Sequence, residues 1–584
     1  MTNSNIIQLA KKQVAELTQA AYLKASEAGV LPSGHTISGV VEIPKDVSHG
    51  DFASSFSMVG AKAMGMNPRA IATAITEHID LEGSLFAFVS IAGAGFLNFT
   101  LAPVFYAMVL SAMEEMGEEY GTAPEKNGKS VMIEFVSANP TGPMHMGNAR
   151  GGVLGDTLAN IMDKAGWRAH KEFYVNDFGN QIEKFALSIE GRYRQLVDKT
   201  DGSEFPAECY QGADITALAQ LLIEQEGVRL LNLSEATRRK KFAEFGLAIN
   251  IPKMKSDLER YGITYNQWFF ESSLYEYART EETLLLLDQA GATYEKEGAL
   301  WLKTAELLAN KLRKEGKTEA QIEALELKDD VLRRANGIYT YLTGDIAYHR
   351  NKLGVRNFDL AINVWGADHH GHVARMQVAL DALGLNGSER LVVVLMQLVN
   401  LLQDGKPVRM SKRTGNAIAL GDLLDEISVD SARFFFNNRV STSSLDFDLD
   451  LAVRQDSENP VYYVQYAHAR ICSLIERITA DGIAIPDASS IMISSILSPE
   501  ESALIKTLAH YPEEISLAAL QYDPSRINRY LTTLAGDFHR FYTNHHLLGS
   551  DPVLLQARLK LVDSTRQVLK LGLELLGVSA PDHM

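Results

Sequence analysis

The sequence predicts an α/β protein built on a parallel sheet, with a small α+β module before it and an all-α region after it. Three observations carry this. Short, almost wholly apolar runs (Val131 to Val136, Ala361 to Trp365, Leu391 to Leu395) are separated by helical stretches, as in strands buried on both faces. The first 115 or so residues mix strand-like and helix-like spacing, and after about Gln455 the text is helical with few strand signals.

In order along the chain, Ile6, Leu9, Ala10, Val14 and Leu17 fall at helical spacing. Val40 to Pro44 is a short strand closed by proline, and Asn67-Pro68-Arg69 opens a second helix with proline in its first turn. Phe96 to Phe99 alternates like a last strand, and Gly117 to Lys129 is a polar, glycine-containing linker. These features suggest three domains: 1–115, 116–454 and 455–584. A charge-rich helical insertion occupies about 191–259 of the second.

Length, composition and charge narrow the function classes. The chain has 584 residues, enough for several domains, with 46% apolar and 22% charged residues. Its 56 basic and 73 acidic residues leave a net charge of −17. That argues against bulk affinity for nucleic acid, though a folded RNA needs only local basic patches. Cys209 and Cys472 are too few for a disulfide framework or a four-thiolate zinc site. The longest apolar run, Leu391 to Leu402, is interrupted by Gln397 and Asn400 and is too short to span a bilayer. No secretory leader is visible, so a cytoplasmic chain without membrane contact is expected.

Two segments carry phosphate chemistry. Ser137 to Asp156 passes from an apolar strand through a Pro/Gly turn with His145 and Asn148 into a small-residue helix. Backbone N–H groups at such a helix start attract anions. Far downstream, Arg409-Met-Ser-Lys-Arg413 offers Ser411 and Lys412 to close over a triphosphate. Either segment alone could be an ordinary turn or solvated loop. Trp365 to His372 holds three histidines and an aspartate, but His369 and His370 are adjacent and converge poorly on one ion. Its place after a strand favours ligand contact at a sheet edge instead. Glu134 is a lone carboxylate in an apolar strand, and its alternative reading is an internal ion pair with a buried Arg or Lys. Tyr463, Tyr466 and Arg470 share one helix face. They could be core, or could stack unpaired bases. That region carries 10 basic and 15 acidic residues from Gln455 on, so any RNA contact there rests on stacking and local charge.

Taken together, these segments resemble the class I aminoacyl-tRNA synthetases, with His145-Met-Gly-Asn148 and Arg409 to Arg413 in the places of the HIGH and KMSKS motifs. Ile338 to His349, Val41 to Ala53 and Glu458 to Arg470 are similar to arginyl-tRNA synthetases in particular. The resemblance spans essentially the whole chain. It departs from the family pattern at Asn148, which replaces a histidine, and at Arg409 and Arg413.

The resemblance implies a Rossmann-like class I catalytic core that acts as an arginine–tRNA ligase. Catalytic roles fall to His145, Asn148 and Lys412. ATP contacts fall to His145, Gly147, Asn148, Gly366, Asp368, His369, Met410, Ser411 and Lys412. Arginine contacts fall to Glu134, Ser137, Asn139, Tyr341 and Asp345, because a planar guanidinium suits paired carboxylates. Tyr463, Tyr466, Arg470, Tyr542 and Met584 fall to tRNA. Expected partners are tRNA(Arg), L-arginine and ATP with Mg²⁺, in a monomer with no resident metal and no zinc. The alternatives are a class I synthetase for another amino acid and a non-catalytic tRNA-binding relative.

Overall fold

The computed structural model describes residues 5–123, 128–198, 205, 209–408 and 418–584. Helix α1 (Ile6–Glu27) starts where the Asn5 side chain accepts the Gln8 N–H, at 3.0 Å. It buries Ile6, Ile7, Ala10, Val14 and Tyr22. The α1 stripe lies on a four-stranded antiparallel sheet in the order β1 (Val41–Glu42), β2 (Phe52–Ser54), β4 (Phe96–Leu101), β3 (Phe86–Ala92). Helix α2 (Phe56–Met64) and α3 (Pro68–His78) complete this module, with Asn67 capping α3 and proline at its start. Helix α4 (Pro103–Met116) leads out of it.

The central sheet has five parallel strands in the order β12-β11-β5-β6-β7. These are β5 (Ser130–Glu134), β6 (Arg168–Val175), β7 (Gln267–Phe270), β11 (Leu360–Gly366) and β12 (Leu391–Met396). The three apolar runs are β5, β11 and β12. The other two strands lacked that signal: β6 begins Arg-Ala-His-Lys-Glu and β7 is a four-residue edge. Helix α5 (Met146–Lys164) follows β5 and packs so closely that a Cβ on Gly155 would lie 2.1 Å from the Phe135 ring. Only glycine fits there. The order reverses about β5, leaving a crevice between the carboxyl ends of β5 and β11 where such sheets bind ligands.

Between β6 and β7, α6 (Asn180–Asp198), α7 (Ala213–Glu226) and α8 (Glu235–Arg260) close around their own core of Phe185, Tyr193, Leu222 and Phe242. Between β7 and β11 lies a small antiparallel sheet of β8 (Thr293–Lys296), β9 (Ala299–Leu302) and β10 (Asp330–Arg333). Its hairpin turns on Glu297 and Gly298, both at positive φ (54° and 74°), the geometry preferred in two-residue hairpins. A third small sheet joins β13 (Val399–Gln403), β14 (Lys406–Pro407) and β15 (Leu445–Asp448).

The C-terminal region is a helical bundle of Pro460–Ala480, Pro499–Ala509, Tyr511–Gln521, Ser525–Asn544 and Pro552–Leu575. The N-terminal module docks on it. Glu513 takes Lys11 Nζ at 2.8 Å and Gln8 Nε2 at 2.7 Å, and Lys506 meets Asp51 at 2.6 Å. No helix among the described residues is long and apolar enough to cross a membrane.

Candidate active site and RNA-binding face

A cavity of about 1280 Å³ opens at the sheet crevice. His145, Gly147 and Asn148 line one side, Gly366 and Asp368 another. His145 is the N-cap of α5. Its Nδ1 accepts the Gly147 N–H at 3.3 Å, while Asn148 Oδ1 accepts the His145 N–H at 3.0 Å. This capping box settles the tautomer: with Nδ1 accepting, the ring proton sits on Nε2 and is free to donate. Burial around the ring also lowers the His145 pKa, so at neutral pH it acts as a neutral donor. Asn148 has a visible reason to replace histidine. Its oxygen closes the cap and leaves its NH₂ as a donor.

Met410, Ser411 and Lys412 lie in 409–417, outside the described residues. The residues flanking that segment, Val408 and Ile418, line the same cavity as His145. Ala419 forms a bridge to His145, and the Leu420 N–H bonds the Met144 carbonyl at 2.8 Å. Thus the described residues on either side of that segment border the cavity, and those after it bond to the turn that carries His145. Arg150, fully buried one turn into α5, ties that helix to the carbonyls of Gln397, Val440 and Ser443 at 2.8–3.1 Å.

Beyond β5 the chain turns through Val136 and Ser137 at φ of 66° and 39°. Left-handed backbone is costly for any residue with a Cβ, and most so for a β-branched one. The turn aims Ser137 Oγ at Glu134 Oε1, 2.9 Å away. The other Glu134 oxygen accepts from Lys352 Nζ at 2.5 Å and Asn363 Nδ2 at 3.0 Å. Lys352 is fully buried, and it is the internal cation that the sequence left open for Glu134. A chain of bonds runs on from Asn363 to His349 Nε2 (3.0 Å), and His349 Nδ1 donates to the Asp345 carbonyl (2.8 Å). Asp345 itself contacts His372 Nε2 at 2.9 Å, with its side chain 38% exposed.

A carboxylate not singled out from the sequence completes this corner. Glu271 follows the edge strand β7, and its side chain is buried. Burial, then Asp345 and Asp177, push its pKa up to about 7. Asp177 is committed to Ser272, through its backbone N–H and its hydroxyl. A Cβ on Gly344 would lie 3.8 Å from Glu271 Oε1, which places Glu271 beside the Asp345 helix. Asn176, its amide turned toward the carboxylate, donates to Glu271 Oε2 at 2.8 Å. No sequence motif marks Glu271; the signal is sheet order. Asn139 is exposed, and Tyr341, 64% exposed, lies one turn before Asp345. In the 366–372 segment, His369 pairs with Asp368 at 3.6 Å while His372 turns to Asp345. His369 does not line the cavity.

On the C-terminal bundle, Arg470 lies over the Tyr542 ring at 4.2 Å and the Tyr466 ring at 5.5 Å. Tyr463 packs on His539 at 4.8 Å, and Tyr462 stacks on Tyr466 at 6.0 Å. Four of the sequence-derived residues therefore share one face, joined by His539 and Tyr462. Met584 is exposed near the end of the chain.

Comparison with known proteins agrees with this arrangement. Residues 4–101 match the family model for the arginyl tRNA synthetase N terminal domain. Residues 110–245 and 264–452 match the class I (R) tRNA synthetase catalytic domain, and 464–584 the DALR anticodon binding domain. The Arginine–tRNA ligase of Acetivibrio thermocellus is 45% identical over 581 residues, covering 100% of both chains. That of Ruminiclostridium cellulolyticum is 46% identical over 580 residues, covering 99% of this chain and 100% of its own. A putative arginyl-tRNA synthetase structure from Campylobacter jejuni superposes with a TM-score of 0.72 at 32% identity, covering 83% of this chain and 100% of its own. The Thermus thermophilus arginyl-tRNA synthetase shares the fold at a TM-score of 0.72 and 21% identity, covering 98% and 100%. With the capped helix, the switch-point cavity and full-length kinship all in place, the chain belongs to the arginine–tRNA ligases, class I aminoacyl-tRNA synthetases of the arginyl type.

Proposed function

We propose that this chain activates L-arginine with MgATP to arginyl-adenylate and pyrophosphate, then transfers the arginyl group to the 3′-terminal adenosine of tRNA(Arg). The observation that carries the reading is the capped start of α5 in the cavity at the β5/β11 switch point. There the His145 Nε2–H, the Asn148 amide and backbone N–H groups offer donors to phosphate oxygens. Gly366 and Asp368, which line the same cavity, take the ribose in this reading. Lys412, with Met410 and Ser411, supplies the closing cation by its place in the downstream motif.

The arginine carboxylate is already ionised, so attack on the α-phosphorus needs no general base. Positioning and charge neutralisation supply the rate. For the side chain, the reading differs from the sequence expectation at one residue. Both Glu134 oxygens are occupied, and Lys352 balances its charge. We therefore assign the guanidinium to Asp345 and Glu271, with Tyr341 over the slot. Glu134 then holds Ser137 and, with it, the strained turn; Ser137 and Asn139 face the amino-acid backbone. A neutral amino acid in the slot would leave two carboxylates facing each other, a large penalty. Tyr463, Tyr466, Arg470, Tyr542 and Met584 take the tRNA. The reading is completed by a monomer acting in the cytoplasm, where ATP and tRNA meet.

Pyrophosphate exchange with each amino acid, with and without tRNA, followed by charging of total tRNA, tests the assignment. Exchange and charging with arginine alone are expected. Activity with another amino acid, or none under any condition, overturns it.

A further inference from the structure

Among the described residues, one group of three His, Cys, Asp or Glu side chains brings its ligand atoms within 4.8 Å of one another. None of the three lines the cavity at the sheet crevice. His468 and Cys472 stand one turn apart on the helix Pro460–Ala480, and Asp582 comes from the segment after the last helix. Cys472 Sγ lies 3.4 Å from Asp582 Oδ1, 3.7 Å from His468 Nδ1 and 3.9 Å from His468 Nε2.

We propose that His468, Cys472 and Asp582 form a three-ligand site for one zinc-class divalent cation, with water as the fourth ligand, that fixes the end of the chain to the anticodon-binding helix. The donor set is one soft thiolate, one imidazole and one carboxylate, the mixture that favours zinc over magnesium or calcium. Bond lengths of about 2.3 Å to sulfur and about 2.0–2.2 Å to nitrogen and oxygen give tetrahedral edges of about 3.5 Å. The two sulfur edges bracket that value and the His468–Asp582 edge is within 4.8 Å, so an ion enters as the imidazole turns its Nε2 toward the sulfur and the Asp582 carboxylate draws in.

The surroundings also suit a ligand set. His468 Nδ1 lies 2.9 Å from the Pro581 carbonyl. Donation there leaves the Nε2 lone pair for metal, the second-sphere pattern common in metal-binding histidines. His468 and Cys472 are buried, whereas Asp582 is exposed and leaves the ion a path from solvent. The terminal segment is already guided to the helix. Gln465 Nε2 donates to the Ser579 carbonyl at 2.9 Å, and the Ser579 N–H donates to Asp430 at 3.0 Å. Binding replaces the thiol proton of Cys472, and one proton leaves to solvent per ion bound. This inference revises the expectation of no zinc: four thiolates are unavailable, but a mixed site needs only one.

Cobalt(II) is the probe, because its thiolate complexes absorb where the free ion does not. The full-length protein, freed of metal by chelator and titrated with Co²⁺, is expected to bind one ion per chain. A thiolate-to-cobalt charge-transfer band and the intense visible bands of a tetrahedral ion are expected, and Zn²⁺ should erase both. C472S should lose the bands while keeping its circular dichroism spectrum. C209S, which removes the other cysteine, should keep them. D582N should weaken binding about tenfold or more. No band at one equivalent, or a band that survives in C472S or vanishes in C209S, overturns the proposal and leaves the thiol as a hydrogen-bond donor to Asp582.

Discussion

At the residue scale, the proposed phosphate site depends on a histidine whose proton is placed by backbone. If His145 Nε2–H donates to phosphate in the transition state, His145→Ala should lower arginine-dependent exchange roughly 100- to 1000-fold with little change in ATP KM. An unchanged kcat would sink the role. Glu271 gives a pH signature. Its pKa of about 7 in the free enzyme means that below pH 7 a cation must displace a proton to bind, and above it need not. Arginine KM should therefore fall as pH rises through about 7. Glu271→Gln should raise KM and flatten that dependence, which steady-state exchange across pH 5.5–8.5 measures (about one unit and a half either side). A retained slope in Glu271→Gln would assign it elsewhere. Of these groups, His145 and Asn148 were legible in the sequence because the HIGH-type segment is contiguous. Glu271 was not, because it reaches the site by sheet order, from an edge strand that bears no motif. Glu134 was legible as a costly buried charge, but its partner Lys352 lies 218 residues away, and no local pattern announces such a pairing.

At the element scale, strands were legible where their residues form a nearly unbroken apolar run and illegible where several charges interrupt it or the strand is a short edge. β5, β11 and β12 read as apolar runs, whereas β6 carries charges that its partners absorb: Glu172 meets Arg356 at 2.5 Å and Tyr348 Oη at 2.6 Å. The β8–β9 hairpin hides behind Glu297, which adopts a turn conformation usually marked by Asn or Asp. The β5–α5 junction makes two predictions. Lys352→Met leaves Glu134 buried without a counter-charge and should cost about 3–5 kcal/mol in urea unfolding. Adding Glu134→Gln should recover much of it. An additive loss in the double variant would refute the pairing. At the strained turn, Val136→Gly relieves left-handed strain of about 1–3 kcal/mol but frees the chain that aims Ser137. Thermal stability should hold or rise while kcat for exchange falls. A variant that is both slower and less stable would show that Val136 matters through packing.

At the scale of the whole molecule, the N-terminal module and the C-terminal bundle grip each other around the catalytic sheet. Burial alone would raise the Glu513 pKa, but the hydrogen bonds from Lys11, Asn5 and Gln8 win and hold it below its ordinary 4.5. The sign follows: this stabilisation is present above pH 4.5 and is lost as pH falls through the lowered value. Limited proteolysis should therefore release the first module only as pH falls below the ordinary carboxylate range, and Glu513→Gln should show that sensitivity at neutral pH. Equal protection of variant and parent would mean that apolar contact alone holds the module. The grip also has a consequence for how the protein is made. Gln8 and Glu513 are 505 positions apart, so at about 5–20 residues per second a ribosome needs roughly 25–100 seconds between them. For that interval the Gln8 and Lys11 side chains wait without their Glu513 partner, and a nascent-chain chaperone would meet that edge first.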